Sequence, residues 1–258
     1  MLNKKKLKKL AIFMIVGGFS LAGVAYVSGG ETTVDFVNGG LRVATRDLFS
    51  ETVAEFSSLH IDVGSSNINL RQGTEFRIEA DIVGDLTYSV VDGLLHVATV
   101  PGSVFTVGPI NVGGRFANVI NIYAPLDYIE NANIINRSGS IDSEIGLVNS
   151  RIESTTGNIR LADLSNVTIS STTGNVRTTG NVSGDLVVTS TTGNVNLNIW
   201  GYEENYSIIF TRRSGNVTIG GSRINNRNSG TFTFPAITEE IGNIRLDVTS
   251  GNINVNFR

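Results

Sequence analysis

Residues 150–161 read SRIESTTGNIRL, residues 166–178 read NVTISSTTGNVRT, and residues 185–197 read DLVVTSTTGNVNL. The three segments share a Ser-Thr-Thr-Gly-Asn core, and their glycines, Gly157, Gly174 and Gly193, are 17 and 19 residues apart. Repetition at a short period is the sequence signature of a solenoid, in which each unit stacks on the next. The repeat therefore decides the predicted fold.

The residues around each glycine alternate between apolar and polar side chains, as in strands with one buried face. An apolar residue lies five positions before the glycine and another lies two positions after it. The first set is Ile134, Ile152, Ile169, Val188, Phe210 and Leu246. The second set is Ile141, Ile159, Val176, Val195, Val217 and Ile253. A third apolar position, four after the glycine, is interrupted by Ser143 and Thr178.

Glycine and asparagine are predicted to form the turn of each unit. Glycine adopts positive φ without strain, and asparagine tolerates it better than most residues. The predicted turn residues are Gly139, Gly157, Asn158, Gly174, Asn175, Gly193, Asn194, Gly215, Asn216, Gly242, Asn243, Gly251 and Asn252. Stacked asparagines and threonines can also hydrogen-bond from one unit to the next. A structural role is sufficient to explain these residues.

Two degenerate copies of the same frame occur earlier in the chain. Residues 59–70 read LHIDVGSSNINL, with a turn predicted at Ser66, and residues 86–97 read LTYSVVDGLLHV, with a turn predicted at Gly93. A unit this short cannot bury its own apolar face, so units are expected to stack about 4.8 Å apart. We predict an all-β, single-stranded parallel β-helix-like solenoid over residues 56–258, right-handed by the crossover rule. An antiparallel sandwich or barrel is the alternative, because Gly-Asn also suits a hairpin.

The N-terminus indicates export and attachment to a membrane. All five lysines lie in residues 1–9, the predicted cytoplasmic basic tail. Residues 10–27 carry no charge, and as a helix they would be about 27 Å long, close to the thickness of a bilayer's hydrocarbon core. We predict a single-pass signal anchor with an extracytoplasmic C-terminal domain. The alternative is a cleaved signal peptide, processed near Gly23 or Ala25. Residues 28–55 then form a linker and N-terminal cap.

Composition excludes several classes of function. The chain has no cysteine, which excludes disulfides and thiolate chemistry. The formal net charge is −3, and it is about −8 without the five N-terminal lysines. An acidic domain does not offer the basic face that nucleic acid requires, so no nucleic acid partner is expected.

No catalytic, metal or cofactor site is predicted. His60 and His96 each lie between apolar neighbours at outward strand positions, and no further metal ligands are indicated. Glu203 and Glu204 are adjacent, so on a strand they would point to opposite faces instead of forming a glycosidase pair. The common nucleophile-elbow, zinc-protease, phosphate-loop and dinucleotide motifs are absent from the sequence. The chain is predicted not to be an enzyme, with a polysaccharide-active β-helix enzyme as an alternative.

An aromatic cluster of Trp200, Tyr202 and Tyr206 interrupts the repeat and is the predicted contact surface. Insertions in repeat proteins often carry the binding residues. Exposed Trp and Tyr suit sugar rings or a protein partner. The alternative is that these aromatics fill an irregular rung of the solenoid.

The lysine-tipped apolar segment, the first unit at residues 60–70 and the later Ser-Thr-Thr-Gly-Asn-Val units together resemble the putative-adhesin family of bacterial envelope proteins, a domain family of unknown function. The strand INIYAP at residues 120–125 is similar to a strand of that family. The family includes the LiaG-like proteins, linked to the cell-envelope stress response of Gram-positive bacteria. The resemblance covers about residues 56–258 and implies a β-helix-like ectodomain at the cell surface, without catalytic residues. It implies binding to an envelope polymer or to another membrane or surface protein. A structural or regulatory role in the stress response is the alternative.

Overall fold

The computed structural model describes residues 34–37, 40–43, 46–83, 86–99, 105–107, 110–112, 118–224, 228–233 and 242–258. These residues form strands joined by short turns, with one 3-10 turn at Glu203–Asn205. The all-β prediction is confirmed. The predicted basic tail and membrane segment, residues 1–27, lie outside the described residues.

The strands are β1 (Val34–Val37), β2 (Gly40–Val43), β3 (Arg46–Thr52), β4 (Ser58–Gln72), β5 (Arg77–Val83), β6 (Leu86–Val91), β7 (Leu94–Thr99), β8 (Phe105–Val107), β9 (Ile110–Val112), β10 (Asn118–Ala124), β11 (Tyr128–Ser138), β12 (Ile141–Ser143), β13 (Gly146–Thr156), β14 (Ile159–Leu161), β15 (Leu164–Thr173), β16 (Val176–Gly180), β17 (Val182–Thr192), β18 (Val195–Ile199), β19 (Tyr206–Ser214), β20 (Val217–Ile219), β21 (Ser222–Ile224), β22 (Ser229–Thr233), β23 (Gly242–Ser250) and β24 (Ile253–Phe257). They divide between two compact units. In the first unit, β1, β2, β8 and β9 form a sheet in the order β2-β1-β9-β8. The second unit contains the remaining strands.

The second unit is a stack of rungs, and each rung has one strand in each of two sheets. The long-strand sheet has the order β6-β7-β4-β11-β13-β15-β17-β23-β19-β22. The short-strand sheet has the order β10-β4-β12-β14-β16-β18-β24-β20-β21, with β5 beside β10. β4 contributes its first half to one sheet and its second half to the other. Successive rungs pair in parallel, whereas β5, β6, β21 and β22 are antiparallel. The unit is therefore solenoid-like, as predicted; its handedness stays a prediction.

Inward side chains of successive rungs stack in rows with the register that the sequence predicts. Ile152 pairs with Ile169, which pairs with Val188, and all three are fully buried. The two polar interruptions, Ser143 and Thr178, also lie at buried positions. Burial of one large aliphatic side chain contributes about 1.5–3 kcal/mol. These rows therefore hold the stack together.

The glycines lie at the bend between the two sheets and stack directly on one another. Gly157, Gly174 and Gly193 have φ values of 141°, 134° and 144°. A Cβ on Gly174 would lie 1.9 Å from the carbonyl oxygen of Gly157, and a Cβ on Gly193 would lie 1.9 Å from that of Gly174. Glycine is therefore required here both by the backbone conformation and by the close approach of adjacent rungs.

The asparagine after each glycine links one rung to the next through its side chain. Its Oδ1 accepts a hydrogen bond from the backbone N–H of the asparagine on the neighbouring rung. The bonds are Asn175 N–H to Asn158 at 3.0 Å, Asn194 to Asn175 at 2.9 Å, Asn252 to Asn194 at 2.9 Å, and Asn216 to Asn252 at 2.9 Å. These bonds pair backbone N–H groups that the bend would otherwise leave without a partner.

The last two rungs are stacked out of chain order, which the repeat did not predict. β23 lies between β17 and β19, and β24 lies between β18 and β20. The C-terminal rung thus has both edges paired. The outer rung, β19 with β20, is instead covered by the antiparallel strands β22 and β21 that follow it. Covering an edge in this way removes unpaired backbone groups that would recruit other strands.

One predicted turn is wrong, and the turn predicted at Gly93 is present but belongs to a hairpin. Gly242 and Asn243 lie in β23, where Gly242 pairs with Gly184, and they form no bend between the sheets. The copy around Gly93 is a hairpin of β6 and β7, and only β7 stacks on β4. Asp92 and Gly93 have φ values of 51° and 74°, the two positive values that a tight hairpin turn requires.

Candidate binding surfaces of the second unit

The predicted aromatic contact surface is divided by the structure. Trp200 and Tyr202 are 52% and 73% exposed, whereas Tyr206 is 1% exposed. The Tyr206 hydroxyl donates a hydrogen bond to the Val182 carbonyl at 2.9 Å, and its ring centroid lies 5.5 Å from that of Phe257. Burial raises the pKa of the Tyr206 phenol. Including Tyr206 in the contact surface was therefore wrong, because the alternation of β19 begins at an inward position.

Backbone hydrogen bonds fix the segment with the two exposed aromatics directly after β18, at the carboxyl-terminal ends of the short strands. The Trp200 N–H donates to the carbonyl of Gly180 at 2.9 Å, on one neighbouring rung. The Gly201 N–H donates to the carbonyl of Arg258 at 2.9 Å, on the other neighbouring rung. The segment carrying Trp200 and Tyr202 is thus anchored from both sides.

The two histidines stack on the outer face of the long-strand sheet. His60 and His96 pair in register between β4 and β7, and their ring centroids are 4.9 Å apart at an interplanar angle of 15°. The side-chain nitrogen of Asn133 lies 3.2 Å from His60 Nδ1. In the part of the chain that the structure describes, no three His, Cys, Asp or Glu side chains lie close enough together to hold a metal ion.

Three arginines on the outer face of the long-strand sheet are paired with carboxylates. The pairs are Arg137 with Asp62 at 3.2 Å, Arg151 with Glu153 at 2.5 Å, and Arg245 with Asp247 at 3.0 Å. Such exposed pairs contribute about 0–1 kcal/mol to stability. They do, however, leave these three arginines locally neutralised.

The outer face of the short-strand sheet is different in charge. In stacking order, strands β14, β16, β18, β24, β20 and β21 contain no Asp or Glu residue. They contain three arginines, Arg160, Arg177 and Arg223. Between the arginines lie Asn196 and Asn254, which pair in register and share a hydrogen bond of 2.8 Å between their side-chain amides. The strands from β16 to β21 in this stacking order therefore offer guanidinium and amide groups without a carboxylate, whereas Asp142 on β12 lies opposite Arg160 on β14.

An open groove of about 310 Å³ crosses this face at the rungs of β12, β14 and β16. Its lining includes Asp142, Glu144, Arg160, Ala162, Arg177 and Thr179. Ala162 follows β14 and has a side chain too short to fill the space beside Arg160. The residues at the same position of the neighbouring rungs, Glu144 and Thr179, have longer side chains, so the groove lies at the methyl group of Ala162.

Charge in this groove is unevenly neutralised. Arg71 lies 2.7 Å from Asp142 Oδ1 and 3.5 Å from Glu144 Oε1, so it engages both acids. The nearest carboxylate oxygen to Arg160 is Asp142 Oδ2, at 3.8 Å. Within the described ranges, Arg177 forms no ion pair. Positive charge is therefore left at Arg160 and Arg177.

A larger cavity of about 480 Å³ lies beside β3, β5 and β10 and has no basic side chain in its lining. The lining residues are Leu48, Phe49, Ser50, Glu79, Ala80, Asp81, Val119 and Asn121. Glu79 accepts hydrogen bonds from Arg77 at 2.5 Å and from the Tyr123 hydroxyl at 3.0 Å. Burial, and then this bond to Glu79, raise the pKa of Tyr123. The carboxylate of Glu79 is thus already engaged within the chain.

Sequence reasoning did not identify Arg160 and Arg177 as candidate binding residues. The signal was present, because both lie three residues after a turn glycine, where neighbouring units have Asp142, Asn196, Thr218 and Asn254. The distribution of carboxylates between the outer faces of the long-strand and short-strand sheets depends on how the rungs stack, and the sequence alone does not show it.

Among the described residues, no helix has the length and hydrophobicity needed to span a membrane.

Comparison with known proteins finds solved bacterial structures of low sequence identity. No curated protein matches it. A solved "putative cell adhesion protein" from Clostridium sporogenes is 17% identical, covers 83% of this chain and 100% of its own, and has a TM-score of 0.48. A "putative adhesin" from Bacteroides fragilis is 13% identical, with 82% and 97% coverage and a TM-score of 0.32. A "putative lipid binding protein" from Parabacteroides distasonis is 11% identical, with 83% and 96% coverage and a TM-score of 0.31.

A family model also matches the chain. The sequence model of the Toastrack DUF4097 family matches residues 56–258, the same span as the solenoid predicted from the repeat. This match confirms the resemblance carried by the Ser-Thr-Thr-Gly-Asn units. The chain belongs to the Toastrack DUF4097 family.

Proposed function

We propose that this chain is a non-enzymatic, membrane-anchored cell-surface protein whose solenoid binds a polymer of the cell envelope. In this proposal residues 10–27 anchor the chain, and the second unit faces outward from the cell. The anchor is supported by the uncharged apolar run and the lysines before it.

One observation carries the proposal. The outer face of the short-strand sheet has amide and guanidinium groups repeated from rung to rung, without carboxylates from β14 to β21. The exposed aromatics Trp200 and Tyr202 follow β18, one of the strands of this sheet. Aromatic side chains stack on sugar rings, and amides hydrogen-bond to sugar hydroxyls. A repeated row of such groups suits a ligand that is itself a repeating chain.

The aromatic end and the groove lie on neighbouring rungs. Trp200 is bonded through its backbone to Gly180, and Thr179, the residue before Gly180, lines the groove. A polymer that follows the short-strand sheet can therefore contact both. Concave and row-like surfaces of solenoids are commonly used for extended ligands.

Co-sedimentation of the full-length chain with insoluble, purified bacterial cell walls tests this proposal. We expect wild-type protein to pellet with the walls, and the double variant Trp200→Ala/Tyr202→Ala to bind at least about tenfold more weakly, as for aromatic hot spots. The matched control is Tyr128→Ala, because Tyr128 is 50% exposed and lies on the long-strand sheet.

Two outcomes would contradict the proposal. If wild-type protein remains in the supernatant after the walls have been pelleted, the chain does not bind this class of polymer. If the double variant and Tyr128→Ala bind as wild type does, the aromatic end is not part of the binding face. Circular dichroism of each variant separates lost binding from lost folding.

A further inference from the structure

The groove at Arg160 and Arg177 allows a more specific assignment, which rests on the proposed function. We propose that these two arginines bind a phosphodiester group of an anionic envelope polymer. The two arginines stand in register on neighbouring strands, and a row of polar groups continues beyond them. Arg160 lies 3.8 Å from Asp142, and Arg177 forms no ion pair among the described residues.

Arg160 and Arg177 are direct neighbours across two parallel strands. β14 and β16 pair with Arg160 opposite Arg177, so both side chains leave the same face of the sheet on adjacent rungs. Adjacent strands are about 4.8 Å apart, which places two like charges side by side. An anion that contacts both guanidinium groups would relieve their mutual repulsion.

Several other arginines on the strand faces lie close to a carboxylate. On the long-strand sheet Arg151 and Arg245 each lie within 3.0 Å of a carboxylate on the same strand. In the groove, Arg71 takes Asp142 Oδ1 at 2.7 Å, which leaves Arg160 at 3.8 Å from the remaining oxygen. Arg177 forms no ion pair within the described part of the chain.

Ligand geometry favours a phosphodiester over a carboxylate. A guanidinium fork can take two oxygens of either anion, but a carboxylate has its only two oxygens in one plane and suits a single fork. A phosphodiester directs two non-bridging oxygens apart from a tetrahedral centre, so each can accept from a different guanidinium group. The methyl side chain of Ala162 leaves the space beside Arg160 open to such a group.

The residues beyond Arg177 indicate a polymer and not a single phosphate. The same outward row continues through Asn196, Asn254 and Thr218 and ends at Arg223 on β21. Four strand spacings separate Arg177 from Arg223, which is about 19 Å. Neutral hydrogen-bonding groups between two cationic sites suit a chain whose charges are separated by hydroxyl-bearing units.

Titration calorimetry of the full-length chain with defined polymers tests this assignment. The probes are poly(glycerol phosphate), poly-glutamate and inorganic phosphate. We expect poly(glycerol phosphate) to bind most tightly, and its binding to weaken as salt increases. The variant Arg160→Gln/Arg177→Gln should bind at least tenfold more weakly. The control Arg151→Gln/Arg245→Gln makes the same change of charge on the long-strand sheet and should bind within about twofold of wild type.

Each alternative result has a distinct meaning. If both double variants lose binding equally, the effect is one of net charge and the assigned site is wrong. If poly-glutamate binds as tightly as poly(glycerol phosphate), selectivity for phosphodiesters is wrong. If inorganic phosphate binds as tightly as poly(glycerol phosphate) does per phosphate group, the residues beyond Arg177 do not contribute to binding and the assignment of a polymer is wrong. Cell-wall binding that persists without any poly(glycerol phosphate) binding would overturn this assignment while leaving the proposed function in place.

Discussion

Replacing Gly174 by alanine tests whether the turn glycines hold the rungs together. Gly174 has a φ of 134°, a region that is accessible essentially to glycine, and an alanine held there costs about 1–3 kcal/mol. Its new Cβ would also lie 1.9 Å from the Gly157 carbonyl oxygen. That oxygen belongs to the backbone of the neighbouring rung, so the contact cannot be relieved by turning a side chain.

Relieving the contact requires the two rungs to separate at the bend. Two backbone hydrogen bonds of 2.9 Å cross this gap, from the Gly157 N–H to Thr173 and from the Ile159 N–H to Asn175. Each contributes about 1 kcal/mol. Adding their loss to the conformational cost, we expect Gly174→Ala to lower the free energy of unfolding by about 3–5 kcal/mol. That is at the high end for a single substitution.

Gly221→Ala is the matched control. Gly221 also has positive φ, 76°, but a Cβ there would meet no atom within 4 Å. Only the conformational cost remains, about 1–2 kcal/mol. Urea denaturation of both variants, followed by far-ultraviolet circular dichroism, measures the difference. If the two variants are destabilised equally, close stacking of the rungs is not what requires glycine, and the reasoning is refuted.

Three further predictions concern side chains between the rungs. Asn175→Ala removes the Oδ1 that accepts from the Asn194 N–H; we expect a loss of about 1 kcal/mol and faster hydrogen exchange of that amide, and an unchanged exchange rate would refute the bond. Ser171 Oγ is buried without a hydrogen-bond partner among the described residues, and its row has valine on other rungs. Ser171→Ala should therefore leave thermal stability unchanged or raise it, and a loss above about 1 kcal/mol would show that the hydroxyl is bonded. Tyr206→Phe should cost about 1 kcal/mol at neutral pH through loss of the bond to Val182. Because burial raises the Tyr206 pKa above 10.0, wild-type stability should fall as pH rises from 10 through the folded-state pKa. The phenylalanine variant should lack that fall, so parallel pH profiles of the two proteins would contradict it.

Local chemistry accounts for what the sequence predicted well. The inward rows, such as Ile152, Ile169 and Val188, follow from alternation with period two, which a strand imposes wherever one face is buried. The bends at Gly157 and Gly174 follow from a backbone conformation that glycine alone adopts readily. Both properties are set within a dozen residues, so a single unit contains the information.

One local signal was present but was not interpreted. An asparagine lies eight residues before three of the turn glycines, and these asparagines, Asn131, Asn149 and Asn166, have φ values of 52°, 50° and 54°. They form a second bend in each long strand, where Asn166 donates to Asn149 at 3.3 Å. Asparagine is among the few residues other than glycine that adopt this conformation without large strain.

By itself the sequence determined the type of unit, its inward residues and its principal bend. The order of the rungs was decided only in the tertiary structure. Every rung presents the same inward pattern and the same asparagine to its neighbours, so each unit is compatible with any other, and the pattern cannot say that β23 lies between β17 and β19. The burial of Tyr206, and the absence of an ion pair at Arg177 among the described residues, also depend on how side chains of different rungs meet. The repeat that makes the fold predictable is thus also the reason that its order and its binding face are not.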